Sequence, residues 1–433
     1  GRSLLKFNEY KMIPISKQIA FYQHQIQAEE TEWKKYANTH LNILINDKKL
    51  FIGRIWGVSQ AQGNVILRFR SGEVPRMKQP YFLGITGADF PNNPDSLNFS
   101  LTKFRVSNSP RYYSGFHSEV YTLTYWKTEG NFTFIIVSGF DITLLEKIKN
   151  DYLSKSIHPL IVIAKTDPPI DYLKNLKDFI SMNVEDPILN SNQEVSENDW
   201  HPVNIDNEKD ILEDVVRILD KNDKTIIQGP PGTGKSYLAA NVCEYFLSKN
   251  KSIAVTALTN KALMEIVNKD GLQLALNEHR VFKTNVASDE LKEQPKIQHI
   301  NDLWPKQKEV VLCTYYKLAQ KQVELSNLGH RFDLLIIEEA SQAYLATIAM
   351  FSNIAKKILI IGDHKQLCPV VKKKDEVLAI HPKMEAIING LQTFAFNNNH
   401  LSYRLIKTRR LSNVSSKLTS LFYDTSLTSI SDI

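Results

Sequence analysis

Residues 225–238 read Thr225-Ile226-Ile227-Gln228-Gly229-Pro230-Pro231-Gly232-Thr233-Gly234-Lys235-Ser236-Tyr237-Leu238, and the stretch from Gly229 to Ser236 matches G-x-x-x-x-G-K-[ST] at every fixed position. Glycines at these places let the backbone curl so that successive N–H groups point inward at an anion. Lys235 then reaches β and γ phosphate oxygens, and Ser236 offers a hydroxyl to a magnesium ion. The flanks agree with that reading. An apolar strand is predicted to end at Gln228, and Leu238, Ala239, Val242 and Phe246 follow at helical spacing. Strand, glycine-rich loop and helix, in that order, aim a helix N-terminus at a phosphate. A nucleoside triphosphate is therefore the predicted ligand of Gly229, Pro230, Pro231, Gly232, Thr233, Gly234, Lys235 and Ser236.

The chain has 433 residues, which allows about two to four domains. Hydrophobic residues make up 42% and charged residues 23%, an ordinary balance for folded protein that excludes wholesale disorder. A net charge of +6 permits an anionic partner without demanding one. The three cysteines, Cys243, Cys313 and Cys368, are far apart and lie in apolar stretches, which predicts reduced core thiols and a cytoplasmic compartment. The eleven histidines show no ligand spacing, so no structural zinc is predicted. No apolar run is long enough to cross a bilayer, so no membrane partner is predicted either.

Outward from the loop, the sequence changes character several times. Residues 1–49 carry Ile19, Tyr22, Ile26, Trp33, Tyr36 and Leu41 at a period near 3.6, which predicts a helical stalk of one long helix or two shorter ones. Residues 50–140 hold short β-rich runs at 50–56, 64–70, 81–85, 101–106, 120–126 and 132–137, separated by Gly, Asn, Pro and Ser turns. That is the pattern of a small β-barrel or sandwich. Helical periodicity returns at 141–182, and residues 183–207, poor in apolar side chains, read as a linker. From 208 to 398 predicted strands and helices alternate, which indicates an α/β domain with a parallel sheet covered on both faces.

Within that domain the apolar run from Phe332 to Ile337 delivers Glu338 and Glu339 at its end. Ligands of open parallel sheets sit off the carboxyl ends of the strands, so this pair is placed opposite the loop. Two adjacent carboxylates divide the chemistry, Glu338 holding Mg²⁺ and Glu339 orienting and deprotonating the attacking water. Without the glycine-rich loop the pair would be read as an acidic helix start. A second apolar run ends in Gly362-Asp363-His364-Lys365-Gln366-Leu367, where Gln366 is in position to hydrogen-bond a γ-phosphate; alone, this turn would read as Gly-Asp loop chemistry.

These residues together resemble the superfamily 1 helicases, and within them the 1B branch typified by the nonsense-mediated-decay RNA helicase family. Residues 228–236 match motif I and Thr256-Ala257-Leu258-Thr259-Asn260 motif Ia. Glu338-Glu339-Ala340-Ser341-Gln342 match motif II and residues 362–367 motif III, while Leu401-Ser402-Tyr403-Arg404, with Phe422-Tyr423 downstream, match the beginning of motif IV. The resemblance implies a RecA-like fold for 208–398, ATP as the nucleotide, Mg²⁺ as its metal, single-stranded RNA or DNA as partner, and 5′ to 3′ polarity. It implies that motif Ia touches the nucleic-acid backbone, that Gln366 couples nucleotide state to strand grip, and that Arg404 reaches the γ-phosphate from a second RecA-like domain. Residues 399–433 would begin that second domain, which needs on the order of 150 residues. The N-terminal stalk and barrel correspond in layout to the family's stalk and 1B domain. The chain departs from the family in having Glu338 where Asp is usual, and in lacking an adenine-reading Gln between Asn204 and Lys209.

Nucleic-acid contact is predicted at Thr256, Thr259, Asn260 and Lys261 and at Thr314, Tyr315 and Tyr316, which follow strand ends on one sheet edge. Arg68, Arg70, Arg76 and Lys78, and Arg111, Tyr112 and Tyr113, are further candidates on the β-rich segment, weighed evenly against a solvated face. Lys372-Lys373-Lys374 and Lys407, Arg409 and Arg410 read first as solvated loops. Lys235, Glu339, Gln366 and Arg404 are the predicted catalytic group. The alternative function is a nucleotide-gated module that grips nucleic acid or a protein partner and hydrolyses little.

Overall fold

The computed structural model describes residues 11–59, 64–77, 81–86, 123–137, 145–147, 149–150, 160–205, 211–408 and 428–429. The chain divides into two compact units. One comprises Gly1–Ala28, Pro169–Val286 and Lys296–Ile433; the other comprises Glu29–Pro168 and Ala287–Pro295. The candidate strand at 101–106 and the candidates Lys78, Arg111, Tyr112, Tyr113, Arg409, Arg410, Phe422 and Tyr423 lie outside the described residues.

The smaller unit is built on strands β1 (Phe51–Ser59), β2 (Asn64–Arg70), β3 (Phe82–Thr86), β4 (Leu123–Glu129), β5 (Phe132–Val137) and β6 (Leu160–Ala164), ordered β3-β6-β1-β2-β5-β4. Every pairing is antiparallel. Strand β2 shows why: Val65, Leu67 and Phe69 are buried on one face while Ile66, Arg68 and Arg70 alternate on the other. Strand β6 interrupts the predicted helical segment 141–182, whose later part does form the helix Ile170–Met182, in the larger unit, with Leu173, Leu176, Phe179 and Ile180 buried. The β6 run Leu-Ile-Val-Ile-Ala is apolar throughout because both faces are covered, Ile161 and Ile163 by the β-sheet core and Val162 and Ala164 by Tyr36, Leu41, Leu44 and Leu50. Such a strand loses its alternation and cannot be told from a buried helix by periodicity. The predicted stalk is a helix at Ile15–Ala37 followed by a short one at Leu41–Asn46.

The larger unit holds β7 (Val203–Ile205), β8 (Lys224–Gln228), β9 (Ile253–Ala257), β10 (Val281–Lys283), β11 (Gln298–His299), β12 (Val310–Thr314), β13 (Phe332–Ile337), β14 (Ala355–Gly362) and β15 (Ser402–Leu405). Their order is β11-β10-β12-β9-β13-β14-β8-β15-β7, and all pairings are parallel. Helices cover both faces, so Leu335, Ile337, Ile358 and Ile360 enter one core while Leu334, Ile336, Leu359 and Ile361 enter the other. This is the α/β, RecA-like parallel sheet that the sequence predicts.

Two boundaries are corrected here. Of the predicted linker 183–207, the described residues 183–205 are packed structure. Leu189 and Asn192 are buried, Trp200 nearly so, and Val203–Ile205 is a sheet strand. Their polar composition serves local bonding: Asp186 Oδ1 accepts from the N–H groups of Ile188 and Leu189, and Asn192 Oδ1 accepts from Ile13 N at 2.7 Å. Residues 402–405 do not begin a second domain, because β15 pairs with β8 on one side and β7 on the other. No described helix is long and apolar enough to cross a membrane.

Candidate functional site

The glycine-rich loop follows β8, and its curl depends on two left-handed residues, Gly232 at φ +83° and Gly234 at φ +84°, a region that costs a side chain dearly. Gly234 is the N-cap of the helix Lys235–Ser248, so the helix opens directly beneath the loop. Gly229 has no room for a side chain: a Cβ there would meet Thr233 Oγ1 at 2.5 Å and Leu405 Cβ at 3.2 Å. Thr233 closes the turn by donating its hydroxyl to the Pro230 carbonyl at 2.8 Å. The Lys235 ammonium donates to the carbonyls of Gly229 and Pro230. Burial lowers the Lys235 pKa, against the pull of the Asp363 and Glu338 carboxylates that surround it. Asp363, which follows β14 and is buried, is a charge partner of Lys235 that the sequence pattern shows only as part of a turn.

The strand ends align into a row. Gln228 pairs with Gly362 of β14 and with Arg404 of β15, and Arg404 pairs with Asn204 of β7. Arg404 therefore stands in the same sheet as the loop, which corrects its predicted place on a separate domain; its Nε donates to Asn204 Oδ1 at 3.2 Å. Gln228 Oε1 accepts from the His364 backbone N–H at 2.7 Å and lies 2.9 Å from His364 Nδ1, which makes Nδ1 the protonated nitrogen. Trp200 and Phe396 pack on the same imidazole, with centroids 4.8 and 5.2 Å away. Burial lowers the His364 pKa, offset in part by Glu197 and Asp363. Gln366 is exposed on the adjoining turn, with its amide 3.4 Å from Asp363 Oδ2. Gln342 Nε2 donates to the Leu367 carbonyl at 2.7 Å, which ties the turn after β13 to the turn after β14.

The acidic pair is split by its surroundings. Glu338 is buried, and its Oε1 has no hydrogen-bond partner among the described residues. Desolvation pushes its carboxyl up to about 8, despite the attraction of Lys235. An orphaned buried carboxylate oxygen facing a phosphate loop fits a divalent cation, since oxygen donors suit a hard ion. Glu339 is held differently. Its backbone is left-handed at φ +51°, a conformation that persists in a non-glycine residue only when neighbours over-determine it. Two tethers do so. Tyr315 donates its hydroxyl to the Glu338 carbonyl, and Glu339 Oε1 accepts from Thr259 N at 3.0 Å and from Thr259 Oγ1 at 2.9 Å. Burial raises the Glu339 pKa while the bonds from Thr259 lower it.

Thr259 is also the N-cap of the helix Asn260–Val267, accepting from Ala262 N at 3.2 Å. One hydroxyl thus joins the acidic pair to the sheet edge formed by β9, β10 and β12. On that edge Thr314 caps the helix Tyr315–Asn327, and Lys283 donates to Asn260 Oδ1 at 2.8 Å. Lys283 is fully buried and was not singled out by its sequence, since one lysine in a three-residue strand carries no pattern. Two predicted contacts are corrected. Thr256 and Tyr315 are both fully buried and cannot meet a backbone from outside; the neighbouring Tyr316, 38% exposed, takes the surface position. Cys368 is also exposed, unlike the core thiols Cys243 and Cys313.

Residues 204–300 and 272–374 match the family model described as an AAA domain. The chain is 26% identical over 180 residues to the DNA replication ATP-dependent helicase/nuclease JHS1 of Arabidopsis thaliana, covering 41% of this chain and 13% of that protein. It is 28% identical over 208 residues to the ATP-dependent helicase upf1 of Schizosaccharomyces pombe, covering 38% of this chain and 22% of that protein. The chain therefore spans well under two thirds of the length of these relatives. Among solved structures, an arterivirus nonstructural protein 10 (helicase) in complex with DNA aligns at 14% identity and a TM-score of 0.29, covering 48% of this chain and 42% of that one, an overlap too low to bear on the fold.

Proposed function

Starting from a nucleotide-binding domain that belongs with the superfamily 1 helicases, we propose that the complete protein is an ATP-dependent helicase or translocase of the 1B branch, moving 5′ to 3′ on single-stranded RNA or DNA. The observation that carries the reading is the pair of bonds from Thr259 to Glu339, which ties the nucleotide-facing acid to the edge where a strand would lie.

In this reading the curled backbone of residues 229–236 and the Lys235 ammonium bind the β and γ phosphates of ATP. Ser236 and Glu338 would hold a magnesium ion, which when bound neutralises phosphate charge. Glu339, fixed by Thr259 and by the Tyr315 anchor on the preceding carbonyl, orients a water and takes its proton. Arg404 and Gln366 flank the γ-phosphate, and Gln342 transmits movement of the Gln366 turn to the turn that carries Glu339. Asn260 presents its amide donors, and the capped helix starts after Thr259 and Thr314 present backbone N–H groups, to strand phosphates. Nucleic-acid binding then acts on hydrolysis through a change in the Thr259 bonds to Glu339.

Duplexes with a single-stranded tail at one end provide the test. Unwinding that needs ATP and a 5′ tail is the expected result; unwinding from 3′ tails alone, or none with any tail, overturns the proposal. A second reading, a nucleotide-gated grip with little hydrolysis, is favoured by Glu338, whose side chain is one methylene longer than the Asp usual in the family. Faster turnover in Glu338→Asp supports that brake; equal or slower turnover removes it.

A further inference from the structure

The smaller unit carries two irregularities in its described strand pairings, and each falls on a tryptophan. The β1–β2 register slips between Ile55 and Gly57, which leaves Trp56 as the extra residue, and the β4–β5 register slips between Tyr125 and Lys127, which leaves Trp126. Bulges of this kind re-aim a side chain. Trp56 is 47% exposed and Trp126 45%. Both rings rest edge-on against Phe134, each with its centroid 6.0 Å away, so two separate bulges deliver two indoles to one buried ring.

Cations are layered on the same rings. The Arg68 guanidinium lies 4.2 Å from the centroid of Trp56 and 4.3 Å from that of Phe132, and Lys127 Nζ lies 4.3 Å from Trp126. These contacts fix the indole rotamers in advance, which lowers the entropy lost when a flat group stacks on them. Strands β1, β2, β5 and β4 carry four cations, Arg54, Arg68, Arg70 and Lys127, and one anion, Glu129, which is paired with Lys127 at 2.7 Å. A protein interface is depleted of charge at its centre. Exposed rings interleaved with an excess of cations instead suit a partner that offers π-faces and phosphates together.

We propose that the outward face of β1, β2, β5 and β4 is a stacking platform for single-stranded nucleic acid, with Trp56 and Trp126 receiving bases and Arg54, Arg68, Arg70 and Lys127 meeting phosphates. This rests on the reading that a single strand is the protein's partner.

The test is fluorescence anisotropy of labelled oligothymidylate and oligouridylate with the complete protein. Trp56→Ala/Trp126→Ala is expected to weaken binding of both by about tenfold or more, and Trp56→Phe/Trp126→Phe, which keeps a π-face, to recover most of the loss. A second variant, Arg54→Gln/Arg70→Gln at exposed positions, is expected to flatten the dependence of log affinity on log salt by about 0.7 for each lost phosphate contact. Equal affinity of wild type and the alanine pair, or an unchanged salt slope, overturns the platform and assigns the face to a protein partner. Wild-type protein that binds neither oligonucleotide overturns the parent reading itself, an outcome distinct from failure of this face alone.

Discussion

The two sheets of this molecule put their chemistry in different places. In the nine-stranded parallel sheet both faces are buried, so the functional side chains stand at the carboxyl ends of strands: Gln228, Glu338, Asp363 and Arg404 around the loop, Thr259 and Thr314 along the edge. In the six-stranded antiparallel sheet one face is core and the other, covered at β6, is open on β1, β2, β5 and β4, so Trp56, Arg68 and Trp126 are carried on the face itself. Sheet type decides this. Parallel connections wrap helices over both faces and leave only the ends, whereas antiparallel hairpins leave a face bare.

The largest effects test the strand ends. Lys235→Ala is expected to lower ATP turnover at least about a hundredfold, and Glu339→Gln by about 10²- to 10⁴-fold with nucleotide binding retained. Steady-state kinetics and calorimetric titration check both. A substitution on the antiparallel face that cost as much in turnover measured without nucleic acid would break the comparison. Thr259→Val, which keeps shape and removes the hydroxyl, is expected to cut stimulation by single strands about tenfold, by analogy with loss of one charge-assisted hydrogen bond. The ratio of stimulated to basal turnover reads this directly, and an unchanged ratio would detach the edge from the acid.

Two glycines sharpen the contrast in packing. A Cβ at Gly390 would run into the backbone of Tyr344 and Leu345, with Ala343 O at 2.6 Å, whereas one at Gly53 would meet the rim of the Phe69 side chain at 2.7 Å. Backbone cannot yield as a side chain can. Gly390→Ala is expected to destabilise the protein by about 3 kcal/mol or more and Gly53→Ala by about 1 kcal/mol, measured by denaturant unfolding. The reverse order would show that the antiparallel unit is the more tightly constrained. The smallest effect concerns His364. Its folded pKa lies below its unfolded value, so it stabilises the fold above about pH 6.5 and that contribution is lost as pH falls through the folded value. Melting temperatures from pH 7 to pH 5 should decline less steeply in His364→Gln; parallel declines would exclude it.

Much of this was legible in the chain. The runs at 132–137, 310–314 and 332–337 become strands with those bounds, because length, β-branched content and turn residues agree there. The loop and the acidic pair were also readable, since glycine spacing and a strand-terminal carboxylate pair follow from chemistry that local sequence must satisfy. What could not be read depends on distant neighbours. Strands β7, β10 and β11 have two or three residues, too few to establish a period. Strand β6 lost its alternation to burial on both faces. Tyr315 and Tyr316 are adjacent and chemically alike, and only the packing of the helix that follows β12 turns one inward to Glu338 and leaves the other at the surface. The Thr259 bond to Glu339 spans 80 residues and has no local signature.

ATP turnover of the complete protein, measured with and without a single-stranded oligonucleotide in wild type and in Glu339→Gln, tests the central claim most directly. Stimulation by the strand in wild type and its disappearance in the variant are predicted. Turnover that ignores the strand, or that survives in Glu339→Gln, would contradict the account.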